Sequence, residues 1–164
     1  MRLIAITAMS VLAASCGSEA PPPPAPEKAA QLQAGEYEVT GEVLKLASLD
    51  KTTPGTAYKA KGEKTTRRAC VAADGTIDPA MFVEKGDKCT VQNSYVRSGR
   101  ISIQYGCTRS GKGAVQAGAD GNYTADGFEA LVTAASTFTG TGDYELQEKV
   151  TGKRVGACPA PAAG

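Results

Sequence analysis

The sequence contains no histidine, no tryptophan and only three phenylalanines. Without histidine, the chain lacks the side chain that most often serves as a general base or metal ligand near neutral pH. No serine lies in a nucleophile-elbow context, and no glycine-rich stretch has the strand-to-helix surroundings of a phosphate-binding loop. These absences favour a non-catalytic protein whose core is built from valine, leucine, isoleucine, tyrosine and alanine.

The acidic residues form no recognisable acid/base pair. With 17 of them in the chain, some will lie close together by chance. We interpret Asp120, Asp126, Glu129 and Asp143 as solvated turn and strand residues and not as a catalytic couple. We therefore predict no catalytic residue and no cofactor.

No cysteine pair has the C-x-x-C spacing that zinc sites and thioredoxin-like redox sites use, so no metal site is predicted. Apart from Cys16, the chain has four cysteines, an even number that in an exported protein indicates two disulfides. Hairpin register, derived below, pairs Cys89 with Cys107. Elimination then pairs Cys70 with Cys158.

The N-terminus predicts export. Residues 1–15 combine one basic residue, Arg2, with an apolar run too short to span a bilayer. The following VLAASC resembles a lipobox, which implies cleavage and lipidation at Cys16; an ordinary cleaved signal peptide is the alternative. Gly17 after the cysteine resembles lipoproteins sorted to the outer membrane. Residues 16–34 are rich in proline and alanine and predict a tether.

Removal of residues 1–15 takes away Arg2 and brings the formal net charge from +1 to zero. A neutral chain has no global attraction to nucleic acid or to an anionic membrane, so we expect membrane attachment through lipid alone and no nucleic-acid partner.

Residues 89–107 predict a hairpin stapled by a disulfide. Arg97-Ser98-Gly99 has glycine where a three-residue turn with a left-handed bulge residue requires it. That turn sets the register and places most apolar residues on one face. The predicted pairs are Tyr95 with Ile101, Asn93 with Ile103, Val91 with Tyr105, and Cys89 with Cys107.

Elsewhere, residues 35–159 predict an all-β domain, and residues 160–164 a tail. The first strand changes phase at Val43-Leu44, which indicates a bulge or bend near Gly41. Asp78-Pro79 predicts one short helix near 79–85. A second hairpin is predicted around Asp126-Gly127, with Tyr123 opposite Ala130, and a final strand pair around Thr151-Gly152. About seven strands in antiparallel succession predict a meander that forms a curved sheet or a small barrel.

One basic run allows two interpretations. Lys59, Lys61, Lys64, Arg67 and Arg68 lie within ten residues of one another, opposed only by Glu63. Their charges could bind anionic envelope material. The simpler interpretation is a solvated loop and an edge strand that basic side chains protect from aggregation.

Several motifs together resemble the domain of unknown function 3617 family, small exported proteins and lipoproteins of Gram-negative bacteria. They are the opening GEYEV, a strand that ends in Cys70, the central Cys89 and Cys107, and the ending GKRVGACP. The resemblance spans about Gly35 to Pro159 and implies an envelope protein with disulfides. Tyr37 stands where the family usually has tryptophan. The family offers no activity or catalytic residues to carry over.

Two functions remain open. A module that binds a small apolar ligand or a lipid predicts a cavity inside the sheet, lined by Tyr95, Tyr105, Tyr123 and Phe128. A module that binds an envelope protein, such as an inhibitor of an envelope-directed hydrolase, predicts a filled core and a functional loop or edge.

Overall fold

The computed structural model describes residues 31–160. Its strands are β1 (Gly35–Ser48), β2 (Lys64–Val71), β3 (Lys88–Arg97), β4 (Arg100–Arg109), β5 (Gly113–Tyr123), β6 (Gly127–Phe138) and β7 (Tyr144–Gly156). All seven belong to one antiparallel sheet in the order β2-β1-β7-β6-β5-β4-β3. The sheet is open, with β2 and β3 as its edges, so the predicted all-β class and strand number are confirmed and the small-barrel alternative is wrong.

Some predictions fall on other parts of the chain. The signal peptide, Cys16 and residues 17–30 of the tether lie outside the described residues, as do residues 161–164. Within residues 31–160, no helix has the length and apolar character that a membrane crossing needs.

The sheet has a buried inner face and an exposed outer face, as alternating sequence predicts. On β6, Phe128, Ala130 and Val132 are buried, whereas Glu129 and Leu131 between them are exposed. In β1 the register shifts between Val43 and Lys45. The predicted change of phase is confirmed, although the extra residue is Leu44 and the bulge does not lie near Gly41.

The β3–β4 hairpin has a tighter turn than predicted. Arg97 pairs directly with Arg100. Ser98 and Gly99 between them have φ angles of 53° and 75°, the positive values that a two-residue type I′ turn requires. Val96 therefore faces Ile101.

This turn shifts the pairing register by one residue in the half of the hairpin that lies next to the turn. Tyr95 pairs with Ser102, and Ser94 takes the place opposite Ile103 that was predicted for Asn93. A bulge between Val91 and Asn93 then restores the predicted register. The pairs of Val91 with Tyr105 and of Cys89 with Cys107 are correct, although the turn that predicted them is wrong.

The β5–β6 hairpin also differs in register. Tyr123 pairs with Phe128, two residues from its predicted partner Ala130. The Thr124 amide donates to the Gly127 carbonyl over 2.8 Å, which leaves Ala125 and Asp126 between the paired ends, so the turn lies one residue earlier than predicted. A shift of two residues keeps the side-chain parity, so the predicted inner and outer faces of these strands are correct.

The final strand pair predicted around Thr151-Gly152 is instead one continuous strand. β7 lies between β1 and β6 at the centre of the sheet. Gly152 faces Val39 on one side and Phe128 on the other. A Cβ at Gly152 would lie within 2.0 Å of the Phe128 ring. This glycine therefore makes room for an aromatic side chain and does not form a turn.

The inner face is covered by the segments that connect β1 to β2 and β2 to β3. Tyr58 comes from the first, and Met81 and Phe82 come from the second. A 3₁₀ turn at Pro79–Met81, capped by the Asp78 carboxylate, replaces the longer helix predicted at 79–85. The space left between these covering segments and the inner face of the sheet has a volume of about 10 Å³. This is room for about one water molecule.

Both predicted disulfides are present in the structure. Cys89–Cys107 joins β3 to β4 with Cα atoms 4.0 Å apart. Cys70–Cys158 joins the end of β2 to the residues after β7 with Cα atoms 5.8 Å apart. Two disulfides in a small domain indicate an oxidising, extracytoplasmic environment.

Candidate binding groove

The four aromatic residues predicted to face a ligand do not share one cavity. Tyr95 lies on the outer face, 39% exposed, with the Arg97 guanidinium carbon 4.6 Å from its ring centroid. This placement corrects the prediction and follows from the two-residue turn. Phe128 packs inside the core, 5.2 Å from the ring centroid of Phe82. Only Tyr105 and Tyr123 line accessible grooves.

These grooves lie between the β3 edge of the sheet and the segment that leaves β2. The one named here the edge groove has a volume of about 440 Å³. An adjoining groove of about 450 Å³, the end groove, extends past Val71 and Tyr123 to Leu32. Both lie in the range of volumes that proteins use to bind ligands. The edge groove is lined by Asp74, Gly75, Thr76, Ile77, Val91, Ser94, Val96, Ile103 and Tyr105.

Local hydrogen bonds shape the outer wall of the edge groove. The Asp74 carboxylate accepts from the Thr76 amide over 2.9 Å, and the Ala72 amide donates to the Thr76 carbonyl over 2.8 Å. Gly75 at the tip of this turn has a φ of 85°, which glycine adopts without steric cost. The bonds from Thr76 lower the pKa of Asp74, so its carboxylate is ionised at neutral pH.

Tyr105, on the inner wall of the edge groove, carries a buried hydroxyl without a hydrogen-bond partner. Tyr105 is 1% exposed. Among the described residues, its hydroxyl is the only buried side-chain polar atom that makes no hydrogen bond. Burial raises the pKa of Tyr105, and the nearby charge of Asp78 raises it further. The phenol therefore keeps its proton and can both donate and accept.

A buried carboxylate, missed by sequence reasoning, lies elsewhere on the inner face. Glu148 has no solvent exposure. Its oxygens accept from both terminal nitrogens of Arg67, over 3.1 and 3.2 Å. The Thr65 hydroxyl donates to it over 2.7 Å and the Tyr58 hydroxyl over 3.2 Å. The ion pair is fully satisfied and joins β2 to β7 across the intervening β1.

The predicted basic patch is divided by the structure. Arg67 points inward to Glu148 and is thereby removed from the surface patch. Arg68 points outward and pairs with Glu36 over 3.2 Å and with Glu38 over 3.6 Å. Of the five residues in the predicted patch, Lys59, Lys61 and Lys64 are exposed and make no ion pair within the described residues.

A second ion-pair cluster, centred on Arg109 of β4, holds the covering segments in place. Its guanidinium donates to both oxygens of Asp87 and to Glu84, each over 2.7 Å, and to the Gly55 carbonyl. Strand alternation places Arg109 and Glu148 on the inner face. This inward position is the only feature of the sequence that could have predicted a buried ion pair at either residue. Within residues 31–160 no three histidine, cysteine or acidic side chains are grouped so as to hold a metal ion.

A wider trough of about 610 Å³ lies on the outer face and is lined in part by Gln92, Gln104 and Gln116. No buried polar atom without a partner lines it. The edge groove is therefore the stronger candidate for a binding site, since it combines concave volume, an ionised carboxylate and an unpaired hydroxyl.

Comparison with known families gives one result. The family model described as "Protein of unknown function (DUF3617)" matches residues 32–158. No curated protein and no solved structure matches the chain.

Proposed function

The chain belongs to the DUF3617 family, and from that premise we propose that it is a non-catalytic envelope module that binds an extended peptide segment of another protein. The segment adds as an eighth strand to the free edge of β3. The filled interior supports this proposal over a ligand cavity inside the sheet, because the enclosed space of about 10 Å³ holds no ligand larger than water.

The observation that carries the proposal is the chemistry of β3. An edge strand presents unpaired amides and carbonyls, and proteins usually protect such edges with charge or proline. β3 has no charged residue and no proline between Cys89 and Val96. Val91 and Tyr95 are 49% and 39% exposed. The other edge, β2, carries Lys64, Arg67 and Arg68.

The edge groove adds a means of selecting the segment. In strand addition, main-chain hydrogen bonds supply affinity, and pockets for alternate side chains supply specificity. Ser94 and Val96 line the groove beside the free edge. A strand docked along Asn93–Arg97, beyond the bulge, would direct alternate side chains into it.

A matched pair of substitutions tests this proposal. Phage-displayed ten-residue peptides are selected on the full chain carrying Cys16→Ser, and the best binder is synthesised. We expect Ser94→Lys, which fills the groove with its own side chain, to weaken binding at least about tenfold. Asn93→Lys adds the same charge to the same strand on the outer face, and we expect it to change binding less than about twofold. Fluorescence anisotropy measures both.

Hydrogen exchange gives the second measurement. The bound peptide should slow exchange of the outward-facing amides within Asn93–Arg97, where it docks. Failure to select a binder, or equal effects of the two lysine substitutions, would contradict strand addition. Protection confined to residues 71–77 and Tyr123 would instead favour a small ligand in the end groove.

We further propose that Cys16 is lipidated and holds the domain at the periplasmic face of the outer membrane. The VLAASC motif and the two disulfides support this location. Cys16→Ser expressed in the native host should move the protein from the membrane pellet to the soluble periplasmic fraction, while Ser18→Ala should leave it in the pellet. Membrane retention of Cys16→Ser would refute the anchor.

A further inference from the structure

We propose that the edge groove binds a basic side chain, lysine or arginine, carried by the peptide that adds to β3. This inference rests on the proposed function and names the chemistry that the site recognises. It depends on three features of the groove, namely its single charged residue, its aliphatic walls and its unpaired hydroxyl.

The charge of the groove has one sign. Asp74 is the only charged residue among those that line the edge groove and the end groove. Its Oδ1 atom accepts from the Thr76 amide, and no ion pair engages it within the described residues. A carboxylate beside a concave surface attracts a cation and repels an acidic side chain.

The walls of the groove suit the long stem of a basic side chain. Ile77, Val91, Val96 and Ile103 supply aliphatic surface. Lysine and arginine place their methylene groups along such surface while the charged end reaches a polar partner. An apolar side chain would contact the walls alone and leave the charge of Asp74 without an ionic partner.

The Tyr105 hydroxyl is an independent observation that points to a ligand. It is buried, the residue that carries it lines this groove, and it makes no hydrogen bond within the described residues. A buried polar group without a partner destabilises the fold, and such groups are uncommon in native proteins. The ammonium of a lysine, or an N–H of an arginine guanidinium, would donate to the phenol oxygen and satisfy it.

The test uses the binder selected on the full chain carrying Cys16→Ser. We expect this peptide to contain a lysine or arginine whose replacement by norleucine weakens binding about tenfold, the size of one charge-assisted hydrogen bond. Asp74→Asn keeps an oxygen for the Thr76 amide but removes the charge. The affinities of this variant for the basic peptide and for the norleucine peptide should lie within about threefold of each other. The four affinities form a double-mutant cycle for Asp74 and the basic side chain.

Tyr105→Phe supplies the second variant. Removal of an unpaired hydroxyl should raise the urea midpoint of unfolding, yet weaken binding of the basic peptide more than that of the norleucine peptide. A purely structural role would change both affinities equally.

The two proposals fail in different ways. A binder that protects β3 from hydrogen exchange but tolerates norleucine would overturn basic recognition and leave strand addition standing. A basic binder that leaves β3 unprotected would overturn strand addition. If the ratio of the affinities for the two peptides is the same on wild type and on Asp74→Asn, Asp74 does not recognise the basic side chain.

Discussion

Replacement of Cys70 and Cys158 by serine is expected to lower the free energy of unfolding by about 4–5 kcal/mol, the loop-entropy value for so long a closed loop. The bond spans 88 residues, and it ties the edge strand β2 to the residues that follow the central strand β7. Without it, both ends can separate while the rest of the sheet remains paired. Urea denaturation followed by circular dichroism measures the loss.

The second disulfide is the matched control. Cys89–Cys107 spans 18 residues, and its replacement by two serines is expected to cost about 3 kcal/mol by the same relation. The β3–β4 hairpin keeps its ladder and its turn without the bond. A larger loss from the Cys89 and Cys107 pair than from the Cys70 and Cys158 pair would show that loop entropy does not set the order.

Arg67→Met is expected to destabilise the fold by about 3–5 kcal/mol, because removal of one partner leaves a buried charge uncompensated. Methionine retains much of the apolar stem of arginine. Glu148, with no solvent exposure, would keep only Thr65 and Tyr58 as donors. The Met81 carbonyl would also lose the two hydrogen bonds that it accepts from the Arg67 guanidinium, over 3.1 and 3.2 Å.

Arg68→Met is the control for this change. Arg68 is the next residue on the same strand, but its side chain is 59% exposed and its partners are surface carboxylates, so we expect an effect within about 0.5 kcal/mol. Addition of Glu148→Gln to Arg67→Met should recover part of the loss, since the buried charge is then absent. Equal effects of Arg67→Met and Arg68→Met would contradict the buried ion pair.

The β3–β4 hairpin was only partly predictable from the sequence. The Cys89–Cys107 pair was predicted from a three-residue turn, and the structure contains a two-residue turn together with a bulge at Gln92. The two differences cancel at the cysteines. They do not cancel at Tyr95, which is why this residue lies on the outer face. A two-residue type I′ turn matches the twist of the strands that flank it, and this match depends on the hairpin as a whole and not on the three turn residues alone.

The candidate groove was only partly predictable. Tyr105 and Tyr123 were correctly assigned to the inner face by alternation. The sequence contained no sign that Asp74 and Ile77 would form the opposite wall, because they follow β2, at the far edge of the sheet. Their approach to β3 depends on how the connecting segment crosses the inner face.

The sequence by itself determined the fold class, the number of disulfides and the faces of most strands. These properties follow from period-two alternation, turn residues and cysteine number, all of which act over short distances along the chain. Tertiary structure alone decided that β7 is one central strand, that Arg67 and Glu148 form a buried pair, and that the interior is filled. Each depends on contacts between residues far apart in sequence, whose packing alternation does not encode.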